Sequence, residues 1–279
     1  MNWGIRIAAI LVIVAGLVWL NWDRLSEEIT ESSILEEGID QAEASKITPA
    51  PESDQVASHS ENGKVMENND LESNPPKIPD FDLQALPESL DDSDTQVRSV
   101  AAEISPEATE WFQAEEHVRK LTLLVTQAAI GKILYQDRPF TFNLPELEVE
   151  ERDERYFIST QSFEHYKPVV NVLVNMPEDK LVAYYRAWYP LLEQAFGELG
   201  LPGSFDEQVD AMIERILAVK ILAPPIELKK PTSVTYKFLD PKLEDASQID
   251  KWLWRMGPEN TQQIQDLAFR FKQALEKYR

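Results

Sequence analysis

The sequence predicts a mainly α fold: a single N-terminal transmembrane helix, a disordered acidic linker, and a helical-bundle domain with a minor β-hairpin or extended segments. Three observations carry this. Residues Ile5 to Leu20, "IRIAAILVIVAGLVWL", include one charge, Arg6. From Asp23 to Ala85 there are 16 Asp and Glu against 4 Lys and Arg, no Tyr or Trp, and one Phe, Phe81. Beyond Leu86, apolar residues recur at spacings of three and four between capping and breaking residues.

The first segment approaches the length that a tilted helix needs to cross roughly 30 Å of hydrocarbon, and Trp3 and Trp22 flank it as interfacial anchors. A cleaved signal peptide is the competing reading, but the exit "NWDRLSEE" offers no small-x-small site. Arg6 and the initiating amine precede the run, and acids dominate after it. The positive-inside tendency therefore places the N-terminus in the cytoplasm. The expected location is a bacterial inner (cytoplasmic) membrane, single-pass, with the C-terminal domain in the periplasm. Residues 1–22 then form the cytoplasmic start and anchor, 23–85 the tether and 86–279 the soluble domain. The tether's composition cannot offset the entropy of ordering. As a flexible coil it would reach on the order of 45 Å. A short amphipathic helix from Leu25 to Ile39 is the alternative there.

The domain's elements follow in order. Ser93 with Gln96 reads as a capping box, with Asp94 favourably placed in the first turn against the helix dipole. Trp111 to Leu134 carries an apolar stripe wide enough for a central bundle helix. "LEVEERDERYFIS" alternates around Arg152–Glu154 and reads as a hairpin or a weakly pairing loop. Ser159 or Thr160 starts a helix through Val174, with Pro168 a kink or break. "PEDKLVAYYRAWYPLLEQAFGELG" has Pro177, Glu178 and Asp179 at its start and Gly200 at its end; Pro190 inside it predicts a bend near Arg186. Ser204 and Glu207 make a further capping box. "IELKKPTSVTYKFLDP" is extended, with Pro231 confining it to an edge or a loop. Asp240 and Pro241 start a helix that continues to Met256, Gly257 suits the left-handed residue after it, and Pro258 opens the last helix. Trp252 and Trp254 lie about 200° apart, so one is expected in the core and the other partly exposed.

Composition narrows the functions. With 49 acidic against 27 basic residues, the chain is a poor binder of nucleic acid. It has no cysteine, so disulfides, thiolate nucleophiles and Cys-type zinc sites are excluded. Asp91, Asp92 and Asp94 lack the spacing and the glycine of a calcium loop, and the three histidines lack metal-ligand spacing. No HExxH, GxSxG, Walker or dinucleotide motif occurs, so neither a cofactor nor a catalytic residue is expected.

Three groups remain as candidate contacts for a ligand or partner. Tyr185, Arg186 and Tyr189 sit beside the Pro190 bend, where a groove would serve an envelope hydrolase or ligand-binding enzyme. Trp254 and Arg255 stand at the break before the last helix, and Lys229, Lys230 and Lys237 form a basic patch suited to an anionic partner. The segments "LPESLDDSDTQVRSV", "YYRAWYPLLEQAFGELGLP" and "WLWRMGPENTQQIQ" resemble those of an uncharacterised bacterial family, catalogued as a domain of unknown function, over roughly Leu86 to Leu275. That resemblance implies an N-terminal span and brings no activity. The leading expectation is a membrane-tethered, non-catalytic helical domain that binds a protein partner in the cell envelope.

Overall fold

The computed structural model describes residues 86–104, 109–112, 115–134, 136–142, 144–175, 178–230 and 236–278. The apolar run and the acidic tether lie outside them. Among the described residues, no helix is long and apolar enough to cross a membrane. The fold is mainly helical with a small antiparallel sheet. Its helices are α1 (Ser93–Ile104), α2 (His117–Ala129), α3 (Thr160–Glu164), α4 (Lys167–Val174), α5 (Glu178–Glu198), α6 (Phe205–Ala218), α7 (Pro241–Glu244), α8 (Gln248–Met256) and α9 (Pro258–Tyr278). The strands are β1 (Val149–Arg152), β2 (Arg155–Ile158), β3 (Glu227–Lys229) and β4 (Lys237–Phe238).

Helices α5 and α6 each pack against both α2 and α9, and α1 packs on α2. The seam is filled by Val118, Leu121, Val125, Leu181, Leu192, Phe196, Phe205, Ile213, Leu267 and Phe271, all buried. Burying such apolar area is the main force holding the helices together, at about 25 cal/mol per Å² removed from water. The Ser204–Glu207 capping box forms as expected at the start of α6. Helix α5 runs unbroken from Glu178 to Glu198 through Pro190.

Local caps, rather than apolar spacing, set several helix boundaries. Ser93 does not cap α1: it is buried, and its hydroxyl donates to Leu90 O at 2.6 Å. Ser89 closes the turn that leads into α1, its Oγ accepting from Asp92 N–H (3.3 Å) and donating to Asp92 Oδ2 (2.8 Å). The expected helix from Trp111 to Leu134 shortens to α2. Glu116 is left-handed (φ 59°, ψ 41°), which stops a helix before His117, and Gly131 at φ 79° ends it. The Ser159–Val174 helix is split, with Pro168 in the first turn of α4. The expected Asp240–Met256 helix also divides, because Ser247 Oγ accepts from Asp250 N–H (3.2 Å) and starts α8 afresh.

The α8–α9 joint forms as a one-residue connection. Gly257 has φ 87° and ψ 165°, and an added Cβ would lie 2.4 Å from the Phe163 ring. Asn260 Nδ2 donates to Phe163 O and Met256 O, both at 2.8 Å, and Thr261 Oγ1 donates to Leu253 O at 2.7 Å. The four strands lie in the order β1-β2-β3-β4, so "RDE" is a hairpin and the extended segment after α6 supplies the other two strands. Asp153 (φ 50°) and Glu154 (φ 62°) make its two-residue turn, the conformation that matches strand twist.

Candidate interaction surface

The sheet collects cations and aromatic rings that are far apart in sequence. Register places Lys229 directly opposite Lys237. Both are exposed, and among the described residues neither has a carboxylate within ion-pair distance. Two like charges facing across strands cost about 0.2–1 kcal/mol relative to a neutral pair. Arg155, by contrast, makes a bidentate pair with Glu227, Nε donating at 2.6 Å, and covers the Phe157 ring at 5.2 Å. Arg152 pairs with Glu150 on the same hairpin.

Lys230 stands over the half-buried Tyr156 ring at 5.7 Å, and Tyr156 lies 5.9 Å from Tyr236. The Tyr156 hydroxyl raises the Lys230 pKa, which keeps the ammonium charged. Arg255 continues this surface from α8, its guanidinium 5.4 Å from the centre of the Phe238 ring. The structure therefore joins Arg255 to Lys230 along the face of Tyr156, Tyr236 and Phe238, whereas Lys229 and Lys237 project from the opposite face of the sheet. Tyr156 and Tyr236 were not singled out from sequence. Period-two alternation places Tyr156 on the face of Ile158, but only the strand register sets it opposite Leu228.

Backbone pairing is not what this edge offers. The N–H of Phe238 donates to Glu244 Oε2 at 2.9 Å, so α7 blunts β4 against strand addition. What remains for a partner is charge and ring faces, the chemistry that holds carboxylates.

Trp252 and Trp254 are both buried, which corrects the expectation that one would be exposed. Trp254 packs edge-on against Phe238 (5.7 Å), and its Nε1–H donates to Lys220 O at 2.7 Å. It therefore supports the patch from below. The Tyr185, Arg186 and Tyr189 group is also reassigned. Tyr185 is 2% exposed and donates to Asp206, whereas Arg186 is exposed and donates to Tyr278 O at 2.6 Å. Tyr189 is partly exposed; burial, with Glu193 and Asp206 beside it, pushes its hydroxyl up to about 12. With Tyr185 inside, the three side chains do not line one groove, and the motive for a hydrolase site at Pro190 is gone.

A cavity of about 580 Å³ opens between the starts of α1 and α2, with Asp91, Asp92, Asp94, Arg98, Glu116 and Arg119 among its lining residues. Its chemistry is already committed internally. Asp94 Oδ2 accepts from Glu116 N–H (2.8 Å), and Asp94 Oδ1 accepts from His117 N–H (2.9 Å) and from the His117 ring at Nδ1 (2.8 Å). The carboxylate thus caps α2 from the neighbouring helix. Arg119 is occupied by Glu198 (2.6 Å) and Asp91 (2.9 Å). Among the described residues, no cluster of three or more His, Asp or Glu could hold a metal ion.

No curated protein matches the chain. No solved structure does either. A family model described as "Protein of unknown function (DUF3014)" matches residues 117–272, from the start of α2 into the last two turns of α9, and covers more than half of the sequence. That match takes in the bundle, the sheet and the patch together, and the chain belongs to this DUF3014 family.

Proposed function

We propose that this protein is a single-pass inner-membrane protein whose periplasmic helical domain binds a protein partner in the cell envelope without catalysing a reaction. Residues 5–20 form the anchor and residues 23–85 the spacer. The exposed Lys229–Lys237 face of the sheet is the docking surface, with Lys230 and Arg255 at its edge on the other side. The observation that carries the reading is the Lys229–Lys237 pair. These are two exposed lysines at directly opposite register positions, with no ion-paired acid among the described residues, in a chain where acids outnumber bases by nearly two to one. An arrangement that costs stability is explained if an acidic partner neutralises it.

The apolar run supports the anchor, since its residues would lose little on entering hydrocarbon. Photo-cross-linking in intact cells from the exposed Leu239, two residues from Lys237 and replaced by a photoreactive phenylalanine, followed by mass spectrometry, tests the surface. Adducts with a distinct envelope protein, lost in Lys229→Glu/Lys237→Glu, are expected. Adducts that carry no second protein, or that survive the charge reversal, would refute the assignment.

A further inference from the structure

The patch is positioned to take a carboxylate-rich peptide, and the chain itself contains one. We infer that residues Glu27–Glu43 of the tether dock on the Lys229–Lys237 patch, so that an outside partner must displace them. The inference rests on the patch being a docking surface but not on the identity of any partner.

Three observations lead to it. First, charge is complementary: Glu27, Glu28, Glu31, Glu36, Glu37, Asp40 and Glu43 follow one another with no intervening base, the densest acidic run in the tether. Second, the patch sits at the far end of the bundle from the start of α1. Asp94 of α1 binds the first turn of α2, whereas the last turn of α2 meets α6, Arg215 Nε donating to Ala129 O at 3.1 Å. Just beyond α6, Lys220 O accepts from Trp254, whose ring carries β4. The 13 residues of α2, about 20 Å, therefore separate the two ends.

Third, the length fits. Some 40 residues lie between Glu43 and Leu86, and a coil of that length spans roughly 35 Å root-mean-square. A domain of residues 86–279 has a radius of gyration of roughly 16 Å. A linker whose mean span exceeds the gap reaches the patch without being stretched, at a local concentration on the order of millimolar. Exposed ion pairs are individually weak, so contact at such a concentration is reversible and an intermolecular acidic ligand can compete. The domain's excess of acids repels the tether only at long range, and that repulsion is screened beyond about 8 Å at physiological salt. Docking would also draw the domain toward the anchor, because the docked segment begins within a few residues of Trp22. Displacement would then release the domain outward.

The chain lacks cysteine, so spin labels can be placed on Ser33→Cys and Leu239→Cys, the latter at an exposed position beside β4. Pulsed electron spin resonance on the full chain, diluted with unlabelled chain, reads the distance between them. A short-distance population is expected at 0.01 M salt. It should fall at least fivefold at 1 M salt, where the screening length shrinks from about 30 Å to about 3 Å. It should fall equally in Lys229→Gln/Lys237→Gln, whose folding is checked by circular dichroism. A distribution unchanged by those substitutions overturns the inference. So does a short distance seen only in mixtures of singly labelled chains, which would place a second copy on the patch. Absence of an envelope partner in cells would refute the function above and leave this measurement standing.

Discussion

Replacing Asp94 with alanine removes a carboxylate that ties α1 to the start of α2. Two costs add. The first turn of α2 loses its cap, worth about 0.5–2 kcal/mol. The ring N–H of His117, 0% exposed, loses its acceptor and is stranded among Phe112 and Phe140, which costs about 1–3 kcal/mol. Together the structure predicts a loss of about 2–4 kcal/mol, or roughly 5–15 °C in Tm for a domain of this size. Glu116 N–H is near the surface and can turn to water, so it adds little. Urea unfolding followed by the fluorescence of the buried Trp188, Trp252 and Trp254 measures the change. Asp91→Ala is the internal control: its carboxylate is 82% exposed and should move stability by less than ~0.5 kcal/mol. If the two variants unfold within ~1 kcal/mol of each other, the cross-helix cap is not what holds α2.

Four further outcomes follow from the same geometry. Burial lowers the His117 pKa against the partly compensating charge of Asp94, so the unfolded chain takes up a proton that the folded one refuses. Stability should therefore fall as pH drops below about 6.5, by at most ~1.4 kcal/mol per pH unit, and His117→Asn, which keeps a donor toward Asp94, should flatten that slope. For Asp94 itself, burial opposes ionisation, but the bonds from His117 and Glu116 outweigh it and hold the carboxyl below the ordinary range. Its contribution should persist to about pH 4 and vanish below, a second acid transition that Asp94→Asn removes. Gly257→Ala meets the Phe163 ring at a positive φ and should cost more than ~2 kcal/mol in the same urea assay. Lys237→Glu turns a like-charge pair into an opposite one, so it should raise stability by roughly 0.5 kcal/mol while abolishing cross-linking to the partner.

The legible parts of this fold were those decided within a few residues. The Ser204–Glu207 box, the apolar faces of α5 and α9, the glycine at the α8–α9 joint and the hairpin around Asp153 and Glu154 depend on local spacing and backbone preference. The departures share a cause as well. Ser89 and Asp92, and Ser247 and Asp250, are both S-x-x-D pairs; the first closes the turn into α1, and the second sets a helix start that a longer predicted helix concealed. Those two were readable in principle. Asp94 capping a helix 22 residues downstream, and Lys229 facing Lys237 across a strand pair, were not, because each needs two segments brought together by the tertiary fold. The candidate surface was accordingly visible as three scattered groups: the structure divides the lysines between the two faces of the sheet, sets Arg255 on the same face as Lys230, and sends the third group largely into the core.

The placement of α1 has a mechanical consequence. A pull transmitted along the chain from its N-terminal side meets buried Leu90 and the Asp91–Arg119 pair and then α1, a helix that packs on α2 with Val97, Val100 and Ala101 buried. Loaded from that end, the Asp91–Arg119–Glu198 bridge and the α1–α2 contacts take the strain first. The Asp94 contacts then act as the latch whose opening sets how much tension the bundle can withstand.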